Sequence, residues 1–247
     1  DGNPFGVETD KDAQVWLNAQ TWPILAGIAS PEHTRQAINI VEKRLEHPEG
    51  LALIDPVFQS PNPRLGTISV RNQGSRVNGS FYNHASTFAA AAACAAKAGD
   101  VAYRWLKKIT PLNPENPPER NLQMPVWFSN YYFGPIDEPN RGVASMMSNT
   151  GTASWFLWEV MELFLGIRVT PDGILIDPAV PADWDSFEAE RIIKGVPYSF
   201  AFKRTDEIQH NAVSLYVNGE KVAGTIVPFT NSRETVEIEV RLGCCST

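Results

Sequence analysis

Around residue 166 the hydrophobic period of this chain changes. Upstream, apolar residues recur at helical spacing in segments separated by long loops; downstream they alternate in short runs. That switch limits the fold more than any other feature. A chain that places helices first and strands second is α+β, with its two textures in separate units. The predicted division gives a helical part over residues 1–166 and a sheet part over 167–247.

Within the helical part, residues 12–28 read as a helix with Pro23 inside it, which kinks it or displaces its start. Ser30-Pro31 supplies an N-cap and a first-turn proline for a second helix reaching Leu45. The Ala-rich run over 84–98 predicts a third, ended by Gly99, and Asp100 caps a fourth over 101–109. A fifth begins near Thr150 and runs to Leu165. Beyond Gly166, GIRVTPDGILIDP predicts two strands around a Pro-Asp-Gly turn, and Asn218-Gly219 marks a hairpin. The strands together predict an antiparallel sheet or small sandwich. Five helices on loops this long do not enclose a core by themselves. The helical part is therefore expected to be an arc of something larger, or to be completed by a partner.

Composition narrows the function. Lys and Arg number 21 against 28 Asp and Glu, a net charge of −7, so no cationic surplus exists to displace counterions from a nucleic acid. No apolar run reaches the roughly 18 residues of a membrane span, and no membrane partner is expected. The opening DGNPFGVETDKDAQ lacks the basic start and apolar stretch of a secretory signal, which makes the cytoplasm the expected compartment. Cys94, Cys244 and Cys245 form neither a disulfide framework nor a metal spacing. No metal or organic cofactor is implied.

Few residues could carry chemistry. His84, at the start of the Ala-rich helix, either donates a neutral N–H to an anion or is a packed, capping histidine. The segment Ser148-Asn149-Thr150-Gly151-Thr152-Ala153 opens the last long helix with hydroxyls and a glycine. It reads as an anion site or as a plain N-cap. Arg71, Arg76 and Arg141 either surround an anionic ligand or are solvated; Trp127, Phe128, Tyr131 and Tyr132 form a sugar-stacking wall or a core. Among the carboxylates, Asp137, Glu138, Asp177 and Asp183 show no spacing that marks an acid–base couple.

Taken in order, DGNPFGVETDKDAQVWLNAQTWPILAGIAS, GSRVNGSFYNHAS and SNTGTASWFLWEVMELFLGIRVTPDGILIDPAVPADWDSFEAERIIKGVPYSF resemble one family. It is the cellobiose/chitobiose phosphorylase family, the inverting glycoside phosphorylases of glycoside hydrolase family 94, in its C-terminal portion. The resemblance runs from residue 1 to about residue 205. It implies an α+β multidomain protein in which residues 1–166 are the second part of an (α/α)6 barrel and residues 167–247 a C-terminal antiparallel β-sheet domain. It also implies a single catalytic Asp in an Asp-Trp-Asn-Asp-type motif well upstream of the LNAQ segment. That motif does not occur in this sequence, so the chain alone is expected to be inactive.

By the same resemblance, His84, Thr150 and Gly151 hold inorganic phosphate, a cosubstrate. Gln20, Arg71, Arg76 and Asn78 belong to the sugar side. There Arg76-Val77-Asn78-Gly79 replaces the family's Lys-Glu-Asn-Gly, and the sugar-binding Glu has become Val77. Two arginines suit an acceptor bearing a carboxylate, as in the cellobionic acid subgroup. The implied reaction is phosphorolysis of a β-glucoside disaccharide to α-glucose 1-phosphate, and the implied full-length form is a homodimer. Two rival readings are the phosphorylase-like module of a cyclic β-1,2-glucan synthase and a non-catalytic carbohydrate-binding remnant.

Overall fold

A computed structural model describes residues 2, 5–146, 150–206, 212–232 and 234–243. Ser148, Asn149, Cys244 and Cys245 lie outside the described residues. The chain divides into two compact units, residues 1–159 and 160–247.

In the first unit the opening helix starts later than its apolar pattern suggests. Val15 and Trp16 stay extended as β1 (Val15–Trp16), and α1 (Leu17–Leu25) follows. Pairing wins over helix propensity here, because Val15 lies opposite Asp55 and the Leu17 N–H donates to the Leu53 carbonyl at 2.9 Å. Pro23 is accommodated inside α1. α2 (Pro31–Ile40) begins as predicted, with the Ser30 hydroxyl accepting from the His33 N–H at 3.2 Å. It stops short of Leu45, widening into a π-type turn over Val41–Leu45. No residue of α2 is buried. A short hairpin, β2 (Glu46–His47) and β3 (Gly50–Leu51), precedes β4 (Ile54–Asp55), the partner of β1.

The Ala-rich helix, α3 (Asn83–Ala95), buries ten of its 13 residues. Alanine side chains add little girth, so α1, α4 and α6 all pack directly on it. Its end corrects the predicted role of Gly99. Lys97 takes the left-handed position, at φ +59°, and Gly99 instead opens α4 (Gly99–Ile109), with Asp100 in the first turn rather than at the cap. A short α5 (Pro118–Asn121) leads to the strand pair β5 (Tyr131–Tyr132) and β6 (Ala144–Ser145). The last helix is shorter than predicted: α6 (Thr152–Glu159) passes into a π-type turn over Val160–Phe164.

An ion-pair cluster ties the loops of this unit. Arg141 grips Glu49 through two hydrogen bonds, each of 3.0 Å, and Arg120 adds a third contact at 2.8 Å. Burial works to raise the Glu49 pKa, but the hydrogen bond from Arg141 and the two guanidinium charges outweigh it and hold it below the usual carboxylate range.

The second unit is all strand after its first turn: β7 (Ile167–Thr170), β8 (Gly173–Ile176), β9 (Ser186–Ile193), β10 (Val196–Thr205), β11 (Val213–Val217), β12 (Glu220–Val222), β13 (Ile226–Val227) and β14 (Val236–Gly243). They form a five-stranded sheet, β12-β11-β14-β10-β9, and a three-stranded one, β13-β8-β7. The Pro171-Asp172 turn and the Asn218-Gly219 turn both stand where predicted, the latter with both residues at positive φ (+49° and +84°) as a tight hairpin requires. The antiparallel prediction needs one correction. β10 and β14 run parallel, Phe200 beside Ile238, because the chain leaves to build β11–β13 and returns to the sheet centre in the same direction.

Candidate functional site

Two helix N-termini meet in the first unit. His84 is the second residue of α3, and Thr150-Gly151 lead into α6. The approach of His84 is set by the backbone before it. Phe81 exchanges hydrogen bonds with Tyr132, at 3.0 and 2.9 Å, and the Leu53 N–H donates to the Ser80 carbonyl at 2.9 Å. The imidazole lies against Gly151 so closely that a Cβ there would come within 2.8 Å of His84 Nε2 and 2.9 Å of Cε1. Only glycine leaves that space open. Phe88 and Trp155 flank the ring, at centroid distances of 5.0 and 6.5 Å, and Trp22 lies beyond Phe88 at 5.1 Å.

This apolar surround removes water from one side of the imidazole. Burial lowers the His84 pKa below the ordinary histidine range, so the ring is neutral at physiological pH. Its Nε2 is buried and has no hydrogen-bond partner among the described residues. A buried polar atom without a partner costs free energy, and an anion seated beside it would remove that cost.

Around the other helix terminus the polar groups are paired with one another. Thr150 Oγ1 accepts from the Thr152 N–H at 3.0 Å, contacts Thr152 Oγ1 at 2.6 Å and reaches Asn130 Oδ1 at 3.2 Å. The segment before β5 joins the two helices: Ser129 Oγ accepts from Asn83 Nδ2 at 2.8 Å, and the Ser129 carbonyl accepts from Thr152 Oγ1 at 3.2 Å. Asn130 Nδ2 donates to the Tyr82 hydroxyl at 3.2 Å. Reading the sequence passed over Tyr82, Ser129 and Asn130. The available signal was a Ser-Asn pair inside the otherwise aromatic WFSNYYF, where two polar residues need a reason to be buried.

The sugar-side candidates are not brought together to the same degree. Asn78 is fully buried, and its amide is committed to the loop itself: Oδ1 accepts from the Phe58 N–H at 2.9 Å, while Nδ2 donates to the carbonyls of Phe58 (3.2 Å) and Arg71 (2.9 Å). Both N–H groups are used, which makes Asn78 the staple of the loop. Arg71 and Arg76 are exposed, and neither guanidinium has an ion pair or hydrogen bond among the described residues. Arg76 stands at the tip of a tight turn at φ +49°, where the Asn78 N–H donates to the Ser75 carbonyl at 3.0 Å and the Ser80 hydroxyl bonds the Arg76 carbonyl. Gln20 lines a separate open groove between α1 and α2, with Ala19, His33 and Ala37.

Arg141 differs from both expectations: its guanidinium is neither solvated nor grouped with Arg71 and Arg76 but is engaged by Glu49. The aromatic wall divides. Tyr131 and Tyr132 are core, Phe128 packs on Phe156 at 5.0 Å, and only Trp127 is widely exposed. Among the described residues, no group of three His, Cys, Asp or Glu could hold a metal ion, and no helix is long and apolar enough to cross a membrane.

Residues 1–166 match the family model described as "Glycosyl hydrolase 94 superfamily, catalytic domain". A 3-O-beta-D-glucopyranosyl-beta-D-glucuronide phosphorylase of Paenibacillus borealis is 40% identical over 242 residues, covering 97% of this chain and 31% of that protein. A cellobionic acid phosphorylase of Neurospora crassa is 31% identical over 222 residues, 88% of this chain and 27% of the relative. An N,N'-diacetylchitobiose phosphorylase of Vibrio proteolyticus is 29% identical over 242 residues, 98% and 30% respectively. The chain thus spans less than a third of the length of these relatives.

Proposed function

We propose that this chain, which belongs to the glycosyl hydrolase 94 superfamily, carries the phosphate-binding half of an inverting glycoside phosphorylase site. One observation carries the reading: the Nε2 of His84, without a partner among the described residues, faces Gly151, beside Thr150, at the meeting of two helix N-termini. A positive helix end, a hydroxyl and a neutral imidazole are a suitable set for a dianion. Phosphate so held attacks the anomeric carbon of a β-glucoside from the face opposite the leaving oxygen. A carboxylic acid, assigned to polypeptide upstream of residue 1, protonates that oxygen. The products are α-glucose 1-phosphate and a free acceptor. The site's own work is positioning, which lowers the barrier by several kcal/mol in well-oriented cases, of order ~7 or more. On this reading α1–α4 and α6 are an arc of an (α/α)6 barrel, and the unburied α2 is covered by the rest of the protein. An already phosphorylated sugar product suits a reaction inside the cell, and phosphate is the only cosubstrate needed.

For the acceptor, Arg71 and Arg76, exposed and unengaged among the described residues, favour a sugar acid over a neutral sugar, since guanidinium pairs bidentately with carboxylate. Two of the relatives, named for a glucuronide and for cellobionic acid, support the same class. The test is made on the intact natural polypeptide that contains this chain. Titrating inorganic phosphate by calorimetry should show binding weakened at least ~10-fold in His84→Ala. In synthesis from α-glucose 1-phosphate, Arg71→Ala should lower the preference for gluconate or glucuronate over glucose. Phosphate affinity indifferent to His84→Ala would overturn the pocket; an unchanged acceptor preference would overturn the sugar-acid assignment.

A further inference from the structure

Asn130, like Ser129 beside it, bonds side chains at both helix N-termini, but it does so through the two ends of one asymmetric amide. In the structure Nδ2 donates to the Tyr82 hydroxyl and Oδ1 accepts from Thr150 Oγ1, both at 3.2 Å. Counting protons shows what this arrangement allows. Each hydroxyl has one proton to give. That of Thr152 serves the Ser129 carbonyl, and that of Thr150 is taken by Asn130 Oδ1 or by Thr152 Oγ1, 2.6 Å away. Thr150 therefore has no proton left for a ligand, while Tyr82, which accepts from Asn130, keeps its own.

Half a turn of the amide reverses the roles. Tyr82 then donates to Oδ1, and Nδ2 donates to Thr150 Oγ1. The Thr150 oxygen already accepts from the Thr152 N–H, at 3.0 Å, so both its lone pairs are filled. Its proton is then left with Thr152 Oγ1, 2.6 Å away, or an incoming ligand as its acceptor. A dianion is a far stronger acceptor than a neutral hydroxyl oxygen, so its arrival favours the turned amide.

We propose that Asn130 is a positioning residue whose amide turns over on phosphate binding, releasing the Thr150 proton to the anion while tying down that of Tyr82. This rests on the phosphate-pocket reading of His84, Thr150 and Gly151. No bond is made or broken in the turn; only the direction of two hydrogen bonds changes.

The test uses Asn130→Asp in the intact natural polypeptide, with inorganic phosphate as the titrant. A carboxylate only accepts, so it captures both hydroxyl protons and adds negative charge beside the anion. Phosphate Kd should rise ~100-fold, the range expected for losing a charge-assisted hydrogen bond. Because Asn130 acts through Thr150, the part of that rise due to the captured Thr150 proton should vanish in a Thr150→Ala background and only the charge repulsion should remain, whereas a merely structural loss would add in full. Asn130→Ser, small enough to fold where the Asp variant does not, should raise Kd ~10-fold and show the same dependence on Thr150. Equal rises in the wild-type and Thr150→Ala backgrounds, or no rise at all, overturn the relay. His84→Ala run alongside separates the two levels: if it leaves phosphate binding intact, the pocket itself is refuted, whatever Asn130 does.

Discussion

Replacing Gly151 by Ala gives the sharpest probe of the candidate pocket. The new methyl carbon would start 2.8 Å from His84 Nε2, where ordinary contact begins at 3.4 Å, so the ring must retreat by about 0.6 Å. Phe88 and Trp155 stand on its flanks and limit the retreat. Overpacking of this kind costs about 1–3 kcal/mol, and the helix gains up to ~1 kcal/mol from alanine over glycine near its first turn. The net destabilisation is then about 1 kcal/mol, a fall of roughly 2–4 °C in Tm for a cooperative unit of 150–250 residues and less for a larger one. The effect on phosphate is larger, because a methyl group occupies the space beside Nε2 and a displacement near 1 Å can cost ~100-fold at a preorganised site. Calorimetric titration with phosphate and thermal melting by circular dichroism measure both quantities on the same sample. A folded Gly151→Ala protein with wild-type phosphate affinity would refute the claim that imidazole and helix terminus bound one anion site.

Two further expectations concern stability against pH. Both carboxylate oxygens of Glu159 are buried and partnerless among the described residues, and burial pushes its pKa well above the unfolded value near 4.5. The contribution of the neutral acid is complete below that value and is lost as pH rises toward the folded one, at up to ~1.4 kcal/mol per pH unit. Glu159→Met, of similar volume, should flatten the fall in urea midpoint between pH 5 and pH 8; an unaltered slope would count against a neutral Glu159. Glu49 behaves oppositely: its pKa is depressed, so its stabilisation is present above about 4.5 and lost as pH falls through the folded value. Glu49→Gln should cost about 2 kcal/mol at pH 7, since Arg141 loses its bidentate partner while the half-exposed Arg120 can turn to water. Equal denaturant midpoints at pH 7 would contradict the pairing.

Local signals were legible where a single residue type decides the backbone. Ser30 before Pro31, Asn218-Gly219 and Pro171-Asp172 each specify a cap or turn with little help from distant parts, and each stands where it was read. Signals that compete with tertiary contacts were read less well. Val15-Trp16 has a helical apolar pattern but is drawn into pairing with residues 54–55, and the left-handed turn expected at Gly99 is taken by Lys97. The parallel β10–β14 pair was invisible, because alternation along a strand says nothing about the direction of its neighbour. At the candidate site, local chemistry and family resemblance singled out His84, Thr150 and Gly151, which the structure brings together. Asn130 and Tyr82 were not, since their value lies in joining two segments that are distant in sequence. Asn78 shows the converse: an amide in a loop of the right motif is engaged by the loop's own backbone.

The close packing of α3 bears on how such a site can change over generations. Ten of its 13 residues are enclosed, mostly alanines that leave no slack, and its first turn carries His84. Any enlargement there shifts the imidazole against α6, so mutation has few neutral paths through the proposed anion side. The loop bearing Arg71 and Arg76 is anchored by its backbone and by Asn78, while its charged tips stand in solvent and touch little. Substitutions at those tips alter charge and reach without disturbing any core. On the proposed reading, a lineage could exchange one acceptor for another by editing a surface loop while the helix ends are inherited unaltered.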